Sequence, residues 1–130
     1  MMILDTCALI FDALFPEKLS ATAKKAINNG EKKKQLYCSD ISLWEIAMLI
    51  QKKRLDPGTD TQTFMRLMLE ARQIQVLSIT LDIAALSATM PIDHLDPADR
   101  SIAATAIHHN AKLITCDKKL QRISSLSIIW

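Results

Sequence analysis

Met2-Ile3-Leu4-Asp5-Thr6-Cys7-Ala8-Leu9 opens the chain, and its first four residues set the fold class. Three consecutive apolar residues closed by an acid leave no alternate polar positions, so they describe a strand covered on both faces. Short apolar runs of the same kind recur at 36–38, 74–79, 112–115 and 127–130. Between them lies helix punctuation. Ser20 caps a helix that Asn29-Gly30 stops, and Ser39 or Ser42 opens another that runs to about Arg54, ahead of Pro57-Gly58. Thr59 or Asp60 starts a third, on which Phe64, Leu67 and Met68 share one face. Thr80 opens a shorter helix to about Thr89. Asp96-Pro97 pairs a cap with proline at the first helical position and leads to His109, with a stop at Asn110. Each parallel crossover needs a helix and buries both sheet faces. The alternation therefore predicts an α/β fold, a central parallel sheet of about five strands flanked by helices.

The 130 residues correspond to one domain, 1–130, since a single core suffices at this size. Two Gly and four Pro are too few for a linker-rich or disordered chain. No apolar run approaches the roughly 20 residues of a membrane helix, and the first five residues lack the charged and apolar regions of a signal peptide. The expectation is a cytoplasmic protein with no membrane partner. Cys7, Cys38 and Cys116 form no CxxC pair, which suits a reducing compartment, and Cys7 and Cys116 read as buried fillers. Sixteen basic residues against fourteen acidic ones give a net charge of +2, which by itself selects no partner.

The position of the acids is more informative. In an open α/β sheet, ligands bind outside the carboxyl ends of the strands. Asp5 follows the first strand and Asp117 follows Leu113-Ile114-Thr115-Cys116. Glu45 and Asp99 each stand one turn into a helix that begins near the same edge. Four converging carboxylates repel one another, and a hard divalent cation with oxygen ligands, Mg²⁺ or Mn²⁺, offsets that repulsion.

Each acid also has a purely structural explanation. Glu45 stands three residues after Ser42, the spacing of a capping box. Asp96 before Pro97 is a cap, and Asp99 at the third helical position favours the helix dipole. Asp5 and Asp117 could each start a loop. Trp44, Ile46, Met48 and Leu49 weigh against the cap for Glu45, because they make its helix apolar nearly all round and an unpaired acid there is costly.

Met2 to Leu9, the segment Ser39-Asp40-Ile41-Ser42-Leu43-Trp44-Glu45-Ile46, the segment His94-Leu95-Asp96-Pro97-Ala98-Asp99-Arg100-Ser101-Ile102-Ala103-Ala104 and Leu113-Ile114-Thr115-Cys116-Asp117 together resemble the ordered motifs of PIN-domain ribonucleases. Within that family the chain is most similar to the VapC toxins of bacterial and archaeal toxin–antitoxin pairs. The resemblance implies that Asp5, Glu45, Asp99 and Asp117 form a catalytic, metal-holding set. It implies supporting roles for Thr6, beside the first acid, and for Asp96 and Arg100, which cap and orient the helix of Asp99. The implied activity is Mg²⁺- or Mn²⁺-dependent hydrolysis of RNA phosphodiesters without a protein nucleophile. His94, His108 and His109 are assigned no catalytic role.

The resemblance also implies an RNA substrate, a small VapB-like antitoxin that occupies the acidic site, and a homodimer. Apolar side chains around Ile46, Leu49, Ile50, Phe64, Met65 and Met68 are candidates for those contacts, against core packing as the alternative. Lys24, Lys25, Lys32, Lys33, Lys34, Lys52, Lys53, Arg54, Lys118, Lys119 and Arg122 supply basic surface for phosphates, or simply solvated helix faces. With four acids assigned to a metal, sixteen basic residues face ten remaining acids. Three other readings stand beside this one: a PIN nuclease of RNA processing outside a toxin pair, an inactive PIN scaffold, and a Mg²⁺-binding receiver-like signalling domain. The last would want paired acids at the first strand and an Asp after a middle strand. Here a middle strand ends in Leu77-Ser78-Ile79-Thr80.

Overall fold

Residues 1–90 and 95–130 are described in a computed structural model. Five parallel strands, β1 (Met2–Leu4), β2 (Leu36–Ser39), β3 (Gln75–Leu77), β4 (Lys112–Ile114) and β5 (Ser127–Ile129), lie in the order β3-β2-β1-β4-β5. Around them among the described residues pack α1 (Thr6–Leu14), α2 (Ala21–Lys32), α3 (Asp40–Gln51), α4 (Thr61–Arg72), α5 (Leu81–Thr89), α6 (Pro97–His108) and α7 (Lys118–Gln121), with a 3₁₀ turn at Pro16–Lys18. The expected α/β class and five-stranded parallel sheet are observed. A receiver sheet runs 2-1-3-4-5, so the order found here, with the first strand central, removes the receiver-like reading.

The unbroken apolar runs follow from two buried layers. Successive strand side chains point to opposite faces. Leu4, Leu36, Cys38 and Ile114 belong to one core with Ala8, Leu9, Ile27, Ile46, Phe64 and Met68. Ile3 and Leu113 belong to the other, with Ile83, Ile102, Ala103, Ala106 and Leu120. Ile3 and Leu4 are neighbours in sequence yet fully buried in different cores. Each such burial contributes about 1.5–3 kcal/mol, which lets a strand of three residues anchor the centre of the sheet.

Helix starts follow the capping residues. The side chains of Ser20, Asp60, Thr80 and Asp96 each accept a hydrogen bond from the backbone N–H three residues on. At the two ambiguous starts the caps are Ser39 and Asp60. The Ser42–Glu45 capping box is therefore absent, and Glu45 is free for another role.

Two expectations are corrected. Asn29-Gly30 does not stop α2, which continues through Gly30 to Lys32; the left-handed residue beyond it is Lys34 (φ 54°). Gly30 serves close packing instead, because a Cβ there would lie 2.5 Å from Leu36 Cδ2 and 2.6 Å from Met2 Cε. Leu67 does not share the buried face of Phe64 and Met68, and is 57% exposed. At about 100° per residue it falls on the far side of Phe64 from Met68 and so turns outward. Core packing, the alternative to partner contacts for these side chains, is observed: Ile46, Phe64 and Met68 are core residues, and Leu49, Ile50 and Met65 pack partly buried against that core. Among the described residues, the large apolar side chains that do face outward are Trp44 and Leu81, 59% and 90% exposed, together with Leu67, Val76 and Met1.

Candidate active site

The chain leaves β1 towards β2 and β3 on one side and returns to its other side for β4 and β5. This reversal leaves a crevice outside the carboxyl ends of β1 and β4. Leu4 is in register with Ile114, so the next residues, Asp5 and Thr115, emerge side by side. Asp5, Glu45, Asp99 and Asp117 all line one cavity of about 310 Å³, with Thr6, Cys7 and Cys116 beside them and Ile10 and Leu49 as apolar wall. A larger cavity, about 510 Å³, is lined by Leu86, Met90, Ile107 and Ile123 and contains no acid. The acids therefore gather in the smaller one.

Asp5 is 4% exposed and caps α1, its Oδ1 accepting from Ala8 N–H at 2.9 Å. Its Oδ2 accepts a hydrogen bond from the Thr115 hydroxyl, and the Cys7 thiol donates to the same carboxylate at 3.1 Å. Burial pushes its proton affinity up, against the pull of these donors. Asp117 caps α7, accepting from Lys119 N–H at 2.8 Å, and its own N–H donates to Thr115 Oγ1 at 2.9 Å. One hydroxyl thus links the acids at the ends of two adjacent strands.

Glu45 reaches the cavity from α3. The Thr6 hydroxyl donates to its Oε1 at 2.5 Å, and Thr6 Oγ1 lies 3.0 Å from Ser42 Oγ. Burial raises the pKa of Glu45, and the charges of Asp96 and Asp5 add to that. Asp99 enters from the first turn of α6. Burial first, then the charges of Asp96, Asp117, Glu45 and Asp5, push its carboxyl up to about 7. That all three cavity partners act on Asp99 is the electrostatic signature of their convergence.

Asp96 is exposed and caps α6, its Oδ1 accepting from Asp99 N–H at 2.8 Å. Arg100 lies next along the helix, and its guanidinium donates to the carbonyls of Met90 (2.8 Å), Ser87 and Leu95 (both 3.4 Å). It fastens the start of α6 to the end of α5 and to Leu95, just before Asp96. His108 and His109 stack edge to face at the opposite end of α6, and His94 lies outside the described residues.

Three features escaped the sequence reading. Thr115 looked like an ordinary strand residue; the signal is a hydroxyl closing an apolar run two residues before an acid. Ser42 is fully buried next to Thr6 and is no cap. Cys7 and Cys116, expected as core fillers, are half-buried at the cavity with their sulfurs 3.1 Å apart. They leave the core because each follows a strand end and sits at the sheet's open edge.

Residues 2–126 match the sequence profile of the PIN domain. The chain belongs to the PIN-domain family. It is 30% identical over 121 residues to Ribonuclease VapC22 of Mycobacterium tuberculosis (strain ATCC 25618 / H37Rv), covering 92% of this chain and 89% of that protein. Similar folds occur in the crystal structure of VapBC2 from Rickettsia felis bound to a promoter DNA fragment (TM-score 0.76, 17% identity, 98% and 96% of the two chains). Another is FitAcB from Neisseria gonorrhoeae (TM-score 0.67, 20% identity, 98% and 96%). Among the described residues of this PIN domain, no helix is long and apolar enough to cross a membrane.

Proposed function

We propose that this PIN-domain chain is a metal-dependent endoribonuclease and the toxin of a toxin–antitoxin pair. The observation that carries the reading is the convergence of Asp5, Glu45, Asp99 and Asp117 on one cavity at the switch point of the sheet. The likeness to Ribonuclease VapC22 supports the nuclease. The toxin–antitoxin complexes among similar folds fit the proposed partner.

The donor set fits a hard divalent cation by its chemistry: four carboxylates line one cavity, the charges of the other three add to the raised proton affinity of Asp99, and carboxylate oxygens of this kind select Mg²⁺ or Mn²⁺. Among the described residues no three such side chains close on a common point, so the acids ring a cavity without forming a finished cage. Asp5, Asp99 and Asp117 would hold the ion, with Glu45 directly or through water. When bound, the ion supplies a Lewis acid that activates water and offsets charge on the attacked phosphate.

The remaining work belongs to the chain's own groups. Thr115, Ala8 N–H and the Cys7 thiol fix the Asp5 carboxylate, and Thr6 fixes Glu45, so neither acid must reorganise as RNA binds. Asp96 orders the turn that presents Asp99. Lys118 and Lys119, exposed beside Asp117, meet the phosphate backbone. A VapB-like antitoxin segment inhibits by filling the acidic cavity, and a second copy of the chain completes a homodimer.

The test is cleavage of RNA by the purified full-length chain with Mg²⁺ or Mn²⁺, and its loss by a factor on the order of 10² or more in Asp5→Asn. No cleavage by the parent, or equal cleavage by the variant, overturns the nuclease. Failure of the chain to copurify with the product of a neighbouring small reading frame, or undiminished cleavage when that product is bound, overturns the toxin while leaving a processing nuclease.

A further inference from the structure

Cys7 and Cys116 stand 109 positions apart in the chain, yet their sulfurs are 3.1 Å apart at the wall of the acidic cavity. Both are free thiols and half-buried, whereas Cys38, the third cysteine, is buried in the core. A disulfide needs an S–S distance of about 2.05 Å, so the two sulfurs have only about 1 Å to close. The backbones that carry them are already held together, since Leu4 and Ile114 are paired in register just upstream of both. Two cysteines this far apart in sequence, both opening on the same cavity, form a specific arrangement, of which the proposed metal chemistry uses only the hydrogen bond from Cys7 to Asp5.

We propose that Cys7 and Cys116 are an oxidation site: a hydroperoxide converts them to one intramolecular disulfide across the edge of the acidic cavity. In the first step one sulfur takes an oxygen from hydrogen peroxide, the O–O bond breaks, and a sulfenic acid and one water result. In the second, the other sulfur attacks the sulfenic sulfur. The S–S bond forms, the S–O bond breaks, and the departing hydroxyl leaves with the thiol proton as a second water. Two thiols are oxidised by two electrons and one peroxide is reduced to two waters.

The crosslink changes the cavity in two ways. The Cys7 thiol, which donates to Asp5 Oδ1, ceases to be a donor. The first turn of α1, capped by Asp5, becomes tied to the segment after β4 that carries Asp117. A shift of about 1 Å in reacting groups is enough to lower a rate by on the order of tenfold or more. This consequence for RNA cleavage rests on the nuclease reading, whereas the crosslink itself does not.

The full-length reduced chain is treated with equimolar hydrogen peroxide, unfolded without reductant, and its thiols are counted. The count is expected to fall from three to one, with a mass loss of two hydrogens, a monomeric band on a non-reducing gel and full recovery with dithiothreitol. Cys7→Ser and Cys116→Ser are each expected to block this, and Cys38→Ser to leave it intact. An unchanged count of three, a mass gain from sulfinic acid, or an intermolecular dimer overturns the crosslink. Cleavage is followed in parallel and is expected to fall on the order of tenfold on oxidation and return on reduction. If the disulfide forms and cleavage does not change, control of the site by oxidation is overturned. If the reduced chain cleaves no RNA, the nuclease reading fails while the thiol count still decides the crosslink.

Discussion

The hydroxyl of Thr115 donates to the carboxylate of Asp5 across two paired strands, and the same oxygen accepts the backbone N–H of Asp117 at 2.9 Å. Thr115 is fully buried, so its loss cannot be made good by water. Thr115→Val keeps the shape and removes both bonds. It is expected to destabilise the chain by about 1–3 kcal/mol, seen as a lower urea midpoint at unchanged m. A midpoint equal to the parent's would show that the hydroxyl contributes nothing net.

Asp99 gives the site a pH dependence with a defined sign. Its folded pKa, about 7, lies above the ordinary 3.8, so the folded state binds the extra proton between those values. Its contribution to stability is full below pH 3.8 and lost as pH rises through about 7. Asp5 and Glu45, both also shifted upward, act in the same direction. Without divalent cations, thermal scans should show the melting temperature falling from pH 5 to pH 8 relative to Asp99→Asn, which flattens the dependence. Added Mg²⁺ or Mn²⁺ should restore the parent at the higher pH and do little for the variant.

The sequence carried the site's acids because they mark element boundaries. Asp5 and Asp117 end apolar runs, and Asp99 follows a cap and proline, so their place at the carboxyl edge follows from chain order alone. Thr115 and the Cys7–Cys116 contact depend on the lateral register of β1 and β4, which no local pattern encodes. Gly30 was misread for a related reason. As the residue after Asn29 it resembles a helix stop, and only the approach of α2 to Leu36 and Met2 shows why it lacks a side chain. The outward turn of Leu67 likewise depends on which part of α4 meets the sheet layer.

Arg72 joins three helices. Its Nη2 and Nε bind both oxygens of Asp12 on α1 at 3.0 and 3.2 Å, and its Nη1 binds Asn28 Oδ1 on α2 at 2.9 Å. The Asp12 side chain is only 7% exposed, so removing its partner strands a largely buried charge. Arg72→Ala is expected to cost about 3 kcal/mol in denaturant titration. Arg72→Lys should recover only part, because a single ammonium cannot reproduce the two-pronged contact. RNA cleavage per folded molecule should not change in either.

Gly30→Ala sets helix propensity against crowding. Alanine gains about 1 kcal/mol over glycine inside a helix. Its Cβ would press on Leu36 Cδ2, and Leu36 is fully buried, so overpacking of about 1–3 kcal/mol outweighs the gain. A net loss of about 1 kcal/mol is expected by denaturant titration. A stabilised variant would mean that Leu36 and Met2 move aside freely.

RNA affinity should fall as salt rises. With four acids committed to the cavity, sixteen basic residues face ten acids, and Lys118 is exposed at the rim. Lys118→Ala is expected to reduce the slope of log affinity against log salt by about one. An affinity independent of salt would exclude a phosphate-led interface.

The central strand β1 is made before both of its neighbours, and Leu4 finds its partner Ile114 only after everything between them has been made. A nascent chain holds Asp5 without Asp117 and without the strand that supports it. Such long-range closure makes folding slow to begin and late to finish. On the proposed function, it also keeps an enzyme that degrades RNA inert until the segment carrying Asp117 has been made and paired beside β1.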